Sequence, residues 1–245
     1  MYTSLKDVPH SRYEKLSKMT ILFGHQSVGY NIMEGVQEIL KKHPNFKLKV
    51  VEGRDSDMFM PGTLVHTKVG ENTKPESKLK DFSNILLSGS GKKIDACAIK
   101  FCYVDIRKNT DTAKLFTVYE KEIEKIRGAL PHLTIIHFTT PLTTLQSGPK
   151  AWIKTFLGRP LRGMEDNIKR HEFNEMLRKK YHEKDPIFDI AQIESTYPDG
   201  SRASFEHQGK TYYSLATEYT DDGGHLNRLG KEVVAKHFML HLLNL

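Results

Sequence analysis

Short apolar runs that alternate with amphipathic helical periodicities constrain this chain more than any other feature of its 245 residues. The run at 19–23 halts at Gly24, and from Val28 apolar side chains recur at Ile32, Val36, Ile39 and Leu40, the spacing of one helix face. Beyond His43-Pro44-Asn45, residues Phe46, Leu48 and Val50 alternate with polar positions as a half-buried strand does. Residues 94–106 read as a central strand and 114–130 as a helix with Leu115, Val118, Ile123 and Ile126 inward. Residues 133–138 read as another strand, 164–182 as a helix, 187–190 as a short strand and 229–243 as a closing helix. Strands separated by helices predict an α/β fold whose parallel sheet is covered on both faces, with ligands bound at the carboxyl ends of the strands.

The connections carry the rest of the chain. Residues 53–93 are rich in Gly, Ser, Lys, Asp and Asn, and only 78–87 suggest a helix, so this stretch is expected to be a long connection. Residues 191–224, with the turn signal Pro198-Asp199-Gly200 and alternation at 212–215, predict a hairpin or an excursion over the site. Residues 1–18 form a polar extension, and the length suits one α/β domain over 1–245. No apolar run reaches the roughly 18 to 20 residues that cross a bilayer, and the opening has no apolar signal region, so no membrane span is expected and the compartment stays open. Cys97 and Cys102 fall in what reads as one strand, facing opposite sides, as two buried thiols without zinc or disulfide spacing.

A formal charge of +7 would favour anionic partners, but the basic residues are dispersed. The densest clusters, Lys41-Lys42 and Arg178-Lys179-Lys180, sit on amphipathic helix patterns, where a solvated face is the expectation and nucleic acid is not. Gly89-Ser90-Gly91-Lys92-Lys93 lacks the leading glycine and the trailing Ser or Thr of a phosphate loop, and His171-Glu172 lacks the second histidine of a zinc protease. No metal or cofactor is expected.

Ester chemistry on a serine needs a base for its proton, a carboxylate to orient that base and donors for the oxyanion. Ser27 follows the first strand and opens the first long helix, where free N–H groups and the positive end of the helix dipole face developing negative charge. A serine there can equally be a plain helix cap. Asp222 and His225 stand just before the last helix, where they could be a turn former and a structural histidine. In a parallel α/β sheet, loops from distant parts of the chain meet at one edge.

The stretch Ile21-Leu22-Phe23-Gly24-His25-Gln26-Ser27-Val28-Gly29 resembles the first block of the SGNH (GDSL-like) hydrolases, with His25-Gln26 where that family has Asp before the serine. Asp222-Gly223-Gly224-His225-Leu226-Asn227-Arg228-Leu229-Gly230 resembles the last block, Asp-x-x-His ahead of the closing helix. The resemblance spans residues 19–243 in order. It implies a three-layer α/β/α sandwich with a flavodoxin-like sheet of five parallel strands, Ser27 as nucleophile, His225 as base and Asp222 as its orienter, in preference to Asp221.

The third block matches in shape only. Its Gly-x-Asn-Asp reads Cys102-Tyr103-Val104-Asp105 here, so Val104 replaces the family's oxyanion asparagine and Asp105 is expected to be structural. Replacement donors are sought in the backbone N–H of Ser27, that of Gly53 at the second block, and Gln26, Asn31, Lys100 or Tyr103. His25 is expected either to shape the nucleophile loop by hydrogen bonding or simply to be buried. The resemblance implies an esterase or deacylase acting through an acyl-enzyme, on an O-acetyl or other short acyl group of a carbohydrate or small molecule. Two alternatives stand beside it, an acyltransferase of the same type and a non-catalytic glycan-binding module on the same scaffold. Trp152, Tyr197, Phe205, Tyr212 and Tyr213 lie in variable connections as a possible sugar platform.

Overall fold

The computed structural model describes residues 2–157 and 159–245. The first strand, β1 (Thr20–His25), is buried at every position, and α2 (Ser27–Lys42) follows it after a single residue. Before them, α1 (His10–Leu16) lies on the end of the chain: Tyr2 N–H donates to Asn244 Oδ1 at 3.0 Å and Lys15 Nζ to Leu245 O at 2.7 Å. The polar opening is thus docked rather than trailing.

The chain continues through β2 (Lys49–Glu52), β3 (Thr63–Lys68), α3 (Pro75–Leu87), β4 (Ala96–Ile99), α4 (Thr112–Ala129) and β5 (Thr134–Phe138). A short amphipathic helix, α5 (Pro149–Phe156), precedes α6 (Met164–Tyr181), β6 (Ile187–Phe188) and α7 (Ile190–Ser195). The strands β7 (Ser204–His207) and β8 (Lys210–Tyr213) form an antiparallel hairpin, and α8 (Arg228–Leu243) closes the chain. The main sheet has six parallel strands in the order β2-β3-β1-β4-β5-β6, between helical layers that bury two apolar clusters, one on each face. This is the three-layer α/β/α architecture expected from the alternation, with six strands in place of five.

The additional strand lies within the supposed connection 53–93. β3 pairs with β1 from Thr20↔Thr63 to His25↔Lys68 and pushes β2 out to the sheet edge. Thr63-Leu64-Val65-His66-Thr67 is buried on both faces yet contains only two aliphatic residues. Its polar side chains are satisfied internally: Thr63 Oγ1 donates to Met60 O at 2.6 Å, and His66 pairs with His25. A strand with so little apolar surface leaves no apolar run to read. The strand at 94–106 is correspondingly shorter, and Cys102 lies beyond it at the start of the 103–105 turn, so the two buried free thiols do not share a strand.

The hairpin expected within 191–224 is present, but it rests on α6, where Tyr212 meets His171 edge-on with ring centroids 5.1 Å apart.

Helices α2 and α8 come from opposite ends of the sequence and lie side by side on one face of the sheet. Gly35 makes this possible, because a Cβ there would stand 2.5 Å from Lys231 O and 2.7 Å from Ala235 Cβ. Backbones this close leave no volume for a methyl group, so Gly35→Ala is expected to lower stability by about 1–3 kcal/mol. The midpoint of urea unfolding should fall accordingly, with an unchanged m-value.

Candidate active site

The loop that carries Ser27 is built from its neighbours. Gln26 is the N-cap of α2 and Ser27 its first residue, so the amides of Ser27 and Val28 have no helical carbonyl behind them. Inside the loop, His25 is fully buried, with Nδ1 3.1 Å from Gln26 O and Nε2 3.0 Å from His66 Nδ1. A carbonyl only accepts, so His25 Nδ1 carries the proton, and His66 Nδ1–H donates to His25 Nε2. Burial, then the charge of Lys100 and the neighbouring His66, pushes the His25 pKa down to about 3, so the ring stays neutral. Gly29 lies on that ring, where a Cβ would sit 2.2 Å from His25 Cγ. His25 is therefore both buried and a shaper of the loop.

Gln26 is a clamp and not an oxyanion donor. Its Nε2 donates to Val69 O at 3.0 Å and Gly70 O at 2.8 Å, which occupies both amide hydrogens. Gly53 is also removed from the donor set. Its N–H donates to His66 O at 2.9 Å, and it ends β2, which β3 separates from β1. The glycine that ends the strand beside β1 is Gly70, whose N–H donates to Asp81 Oδ2 at 2.9 Å. The missed strand displaced this assignment.

Lys100 is fully buried, donating to Phe101 O at 3.1 Å and approaching Cys102 Sγ at 3.7 Å. Burial lowers its pKa, and no surface of it is left for a substrate. In front of it Cys102 Sγ stands 3.9 Å from Ser27 Oγ. Asp105 anchors this wall: Oδ2 accepts from Cys102 N–H at 2.7 Å and from the buried Lys78 Nζ at 2.5 Å, while Oδ1 accepts from Thr73 N–H at 2.8 Å. The carboxylate is structural, as its position suggested. Sequence reasoning did not place Cys102 beside Ser27, nor Lys78 behind it. A lysine at 78 in line with Phe82 and Leu86 on the buried stripe of α3 was the available signal.

Across the rim, His225 Nδ1–H donates to Asp222 Oδ2 at 2.6 Å. Asp222 Oδ1 accepts from His225 N–H at 2.8 Å and Gly224 N–H at 2.9 Å. Partial burial raises the Asp222 pKa, but these backbone and imidazole donors outweigh it and hold the carboxyl well below the usual range. Asp221 instead accepts from Asn227 Nδ2 at 3.3 Å, away from the imidazole. Asn227 caps α8 by accepting from Gly230 N–H at 3.0 Å, which fixes the loop to the helix.

One link joins this loop to the Ser27 helix and another to the 103–105 turn. Asn31 Oδ1, one turn after Ser27, accepts from Leu226 N–H at 3.2 Å. Tyr103, next to Cys102, places its hydroxyl 3.5 Å from His225 Nε2 and its ring against Gly224, where a Cβ would stand 2.7 Å from Tyr103 Cζ. Among the described residues no hydrogen bond runs directly from Ser27 Oγ to His225; the hydroxyl faces Cys102 and the imidazole faces Tyr103. Beside Tyr103 and Asp222-Gly223-Gly224 lies a cavity of about 480 Å³, lined also by Val104, Thr143, Arg107, Arg162 and Arg170. Val104 offers it no side-chain donor.

Of the supposed aromatic platform, Phe205 stacks on Tyr212, Arg202 covers Tyr213 at 3.4 Å, and Tyr197 packs on the core. Trp152 alone stands open, 84% exposed. No group of three or more acidic, His or Cys side chains among the described residues is arranged to hold a metal ion.

Behind the site Glu194 on α7 is fully buried, with one oxygen accepting from Leu142 N–H and the other without a partner. Burial pushes its carboxyl up to about 8, against the opposing pull of that N–H and of Lys100 and Arg170. Unfolded, it ionises near 4.5. Its contribution to stability is therefore complete below that pH and lost as pH rises through the folded value. Between pH 5 and 9 the wild-type protein should lose on the order of a few kcal/mol relative to Glu194→Gln, read from urea midpoints.

By sequence, no protein-family model and no curated protein matches this chain. Solved structures match it along nearly its whole length. A candidate GDSL-like lipase from Parabacteroides merdae aligns with a TM-score of 0.55 at 10% identity, covering 92% of this chain and 96% of that one. A lipase/acylhydrolase from Enterococcus faecalis gives 0.53 at 14% identity, covering 93% and 96%. The periplasmic domain of a lipopolysaccharide acetyltransferase from Salmonella ser. Paratyphi A gives 0.50 at 10%, covering 93% and 85%. At such identities the agreement is one of fold.

Proposed function

We propose, from the SGNH/GDSL hydrolase fold that this chain carries, that it is a serine esterase or deacylase with Ser27 as nucleophile, His225 as general base and Asp222 as the carboxylate that orients it. The carrying observation is the 2.6 Å His225–Asp222 pair, held on the rim to which Asn31 ties the helix that Ser27 opens. The Asp222 hydrogen bond leaves His225 Nε2 as the acceptor that a base requires. In the reaction the ring turns from Tyr103 to Ser27 and takes the hydroxyl proton as Oγ attacks the acyl carbonyl. Catalytic hydrogen bonds are often long or misaligned before substrate binds.

The developing oxyanion faces the N–H groups of Ser27 and Val28 at the positive end of α2. A further donor comes from Tyr103 Oη or Asn31 Nδ2, since Gln26, Gly53 and Lys100 are otherwise engaged. His225 then returns the proton to the departing alcohol, and water resolves the acyl-enzyme. The adjoining cavity of about 480 Å³ is lined by arginines and threonines, which suits a polar alcohol such as a carbohydrate bearing an O-acetyl or other short acyl group.

Two other readings use the same rim. Transfer of the acyl group to a sugar hydroxyl is favoured by the acetyltransferase domain among the structural neighbours. A non-catalytic glycan-binding module is favoured by Val104 and by the Tyr103 hydroxyl beside Nε2. A fluorophosphonate probe is expected to label Ser27 in the wild-type chain and not in Ser27→Ala, and Asp222→Asn should lower kcat on short esters by roughly 10³- to 10⁴-fold. An unlabelled, folded wild-type chain that still binds glycan would sink the enzyme reading. Ester loss that depends on an added acceptor sugar would assign transfer.

A further inference from the structure

Six large hydrophobic side chains stand exposed among the described residues, and four of them lie together: Trp152 84%, Ile153 60%, Phe156 90% and Leu157 55%. With Pro149 they follow the i, i+3, i+4, i+7, i+8 spacing of one helix face and line one open apolar depression. The other side of α5 holds it to the protein, where Ala151 is buried and Lys154 Nζ donates to Gln146 Oε1 at 2.8 Å. The helix therefore turns its apolar face away from the core, the reverse of an ordinary surface helix.

Charge narrows what can cover that face. Residues 139–164 include Lys150, Lys154, Arg159 and Arg162 and no Asp or Glu. A second copy of this chain would set one basic, acid-free segment against another in a protein of formal charge +7. An apolar, aromatic face on a segment that carries cations and no acid suits an anionic lipid surface.

The segment is also pinned beside the candidate active site. Thr144 N–H donates to Gly223 O at 3.0 Å, next to Asp222, and Gln146 N–H donates to Arg162 O at 3.0 Å where the chain returns. A bilayer under α5 would meet the rim that carries His225.

We propose that α5 is an interfacial anchor, which seats Trp152, Ile153, Phe156 and Leu157 at the headgroup boundary of an anionic lipid bilayer and brings the active-site rim to that surface. Binding does not depend on the esterase reading. Trp152 is the sole tryptophan of the chain, so its emission reports this contact alone. The full chain carrying Ser27→Ala is titrated with phosphatidylglycerol/phosphatidylcholine vesicles and with phosphatidylcholine vesicles, following tryptophan emission and cosedimentation. Blue-shifted emission and cosedimentation with the anionic vesicles are expected, at least about tenfold weaker on phosphatidylcholine. The variant Phe156→Ser/Leu157→Ser should keep its circular dichroism and melting temperature and lose about tenfold or more in partitioning.

Equal binding to both vesicles, or none, overturns the proposal, as does binding that survives the double substitution. A blue shift that grows with protein concentration without lipid would give the face to a second copy. Fluorophosphonate labelling of the wild-type chain, scored separately, keeps failure of anchoring distinct from failure of the catalytic reading.

Discussion

The contact between α2 and α8 is the constraint on which the candidate site depends. Ser27 opens the first of these helices and His225 stands three residues ahead of the second, with almost two hundred residues between them. Side-by-side packing on one sheet face, at a distance that only a glycine at 35 permits, makes the start of α2 and the loop before α8 neighbours. The Asn31–Leu226 hydrogen bond then sets their relative height along the helix axes.

Around Ser27 the protein has built a wall of buried polar groups. His66 holds His25, His25 supports Gln26 and Gly29, and Gln26 ties the loop to the end of β3. On the other side the Lys78–Asp105 ion pair fixes Cys102 and the 70–74 loop together. Buried charges of this kind are tolerated because each is matched: removing one partner would leave the other uncompensated, typically at a cost of about 3–5 kcal/mol. Rigid support of this sort suits the nucleophile proposed at Ser27, whose direction must be set to within fractions of an ångström.

Legibility differed with chemistry. The alternation of apolar runs and helical stripes announced the layers, and the Asp222–His225 spacing announced their pairing over Asp221, because an aspartate three residues ahead can accept from both the amide and the ring of the histidine. β3 was illegible because its buried polar residues find hydrogen-bond partners, Thr63 in the turn before it and His66 across the sheet at His25, and no periodicity encodes such partners. That omission misplaced Gly53, since counting strands from one end of the sheet assigns every later loop. Gln26 and Lys100 were reasonable donors by type, but whether an N–H is free depends on which carbonyl lies opposite.

The amino-acid sequence alone determined the class of fold, the order of its main elements and the two segments that could hold a nucleophile and its base, because apolar periodicity and short-range spacing are local properties. The tertiary structure decided which strand flanks β1, which polar groups are already satisfied, that Ser27 and His225 face Cys102 and Tyr103, and that the apolar face of α5 points to solvent. Those facts depend on contacts between residues far apart in the chain, and the free energy of such contacts exists only once the layers have packed.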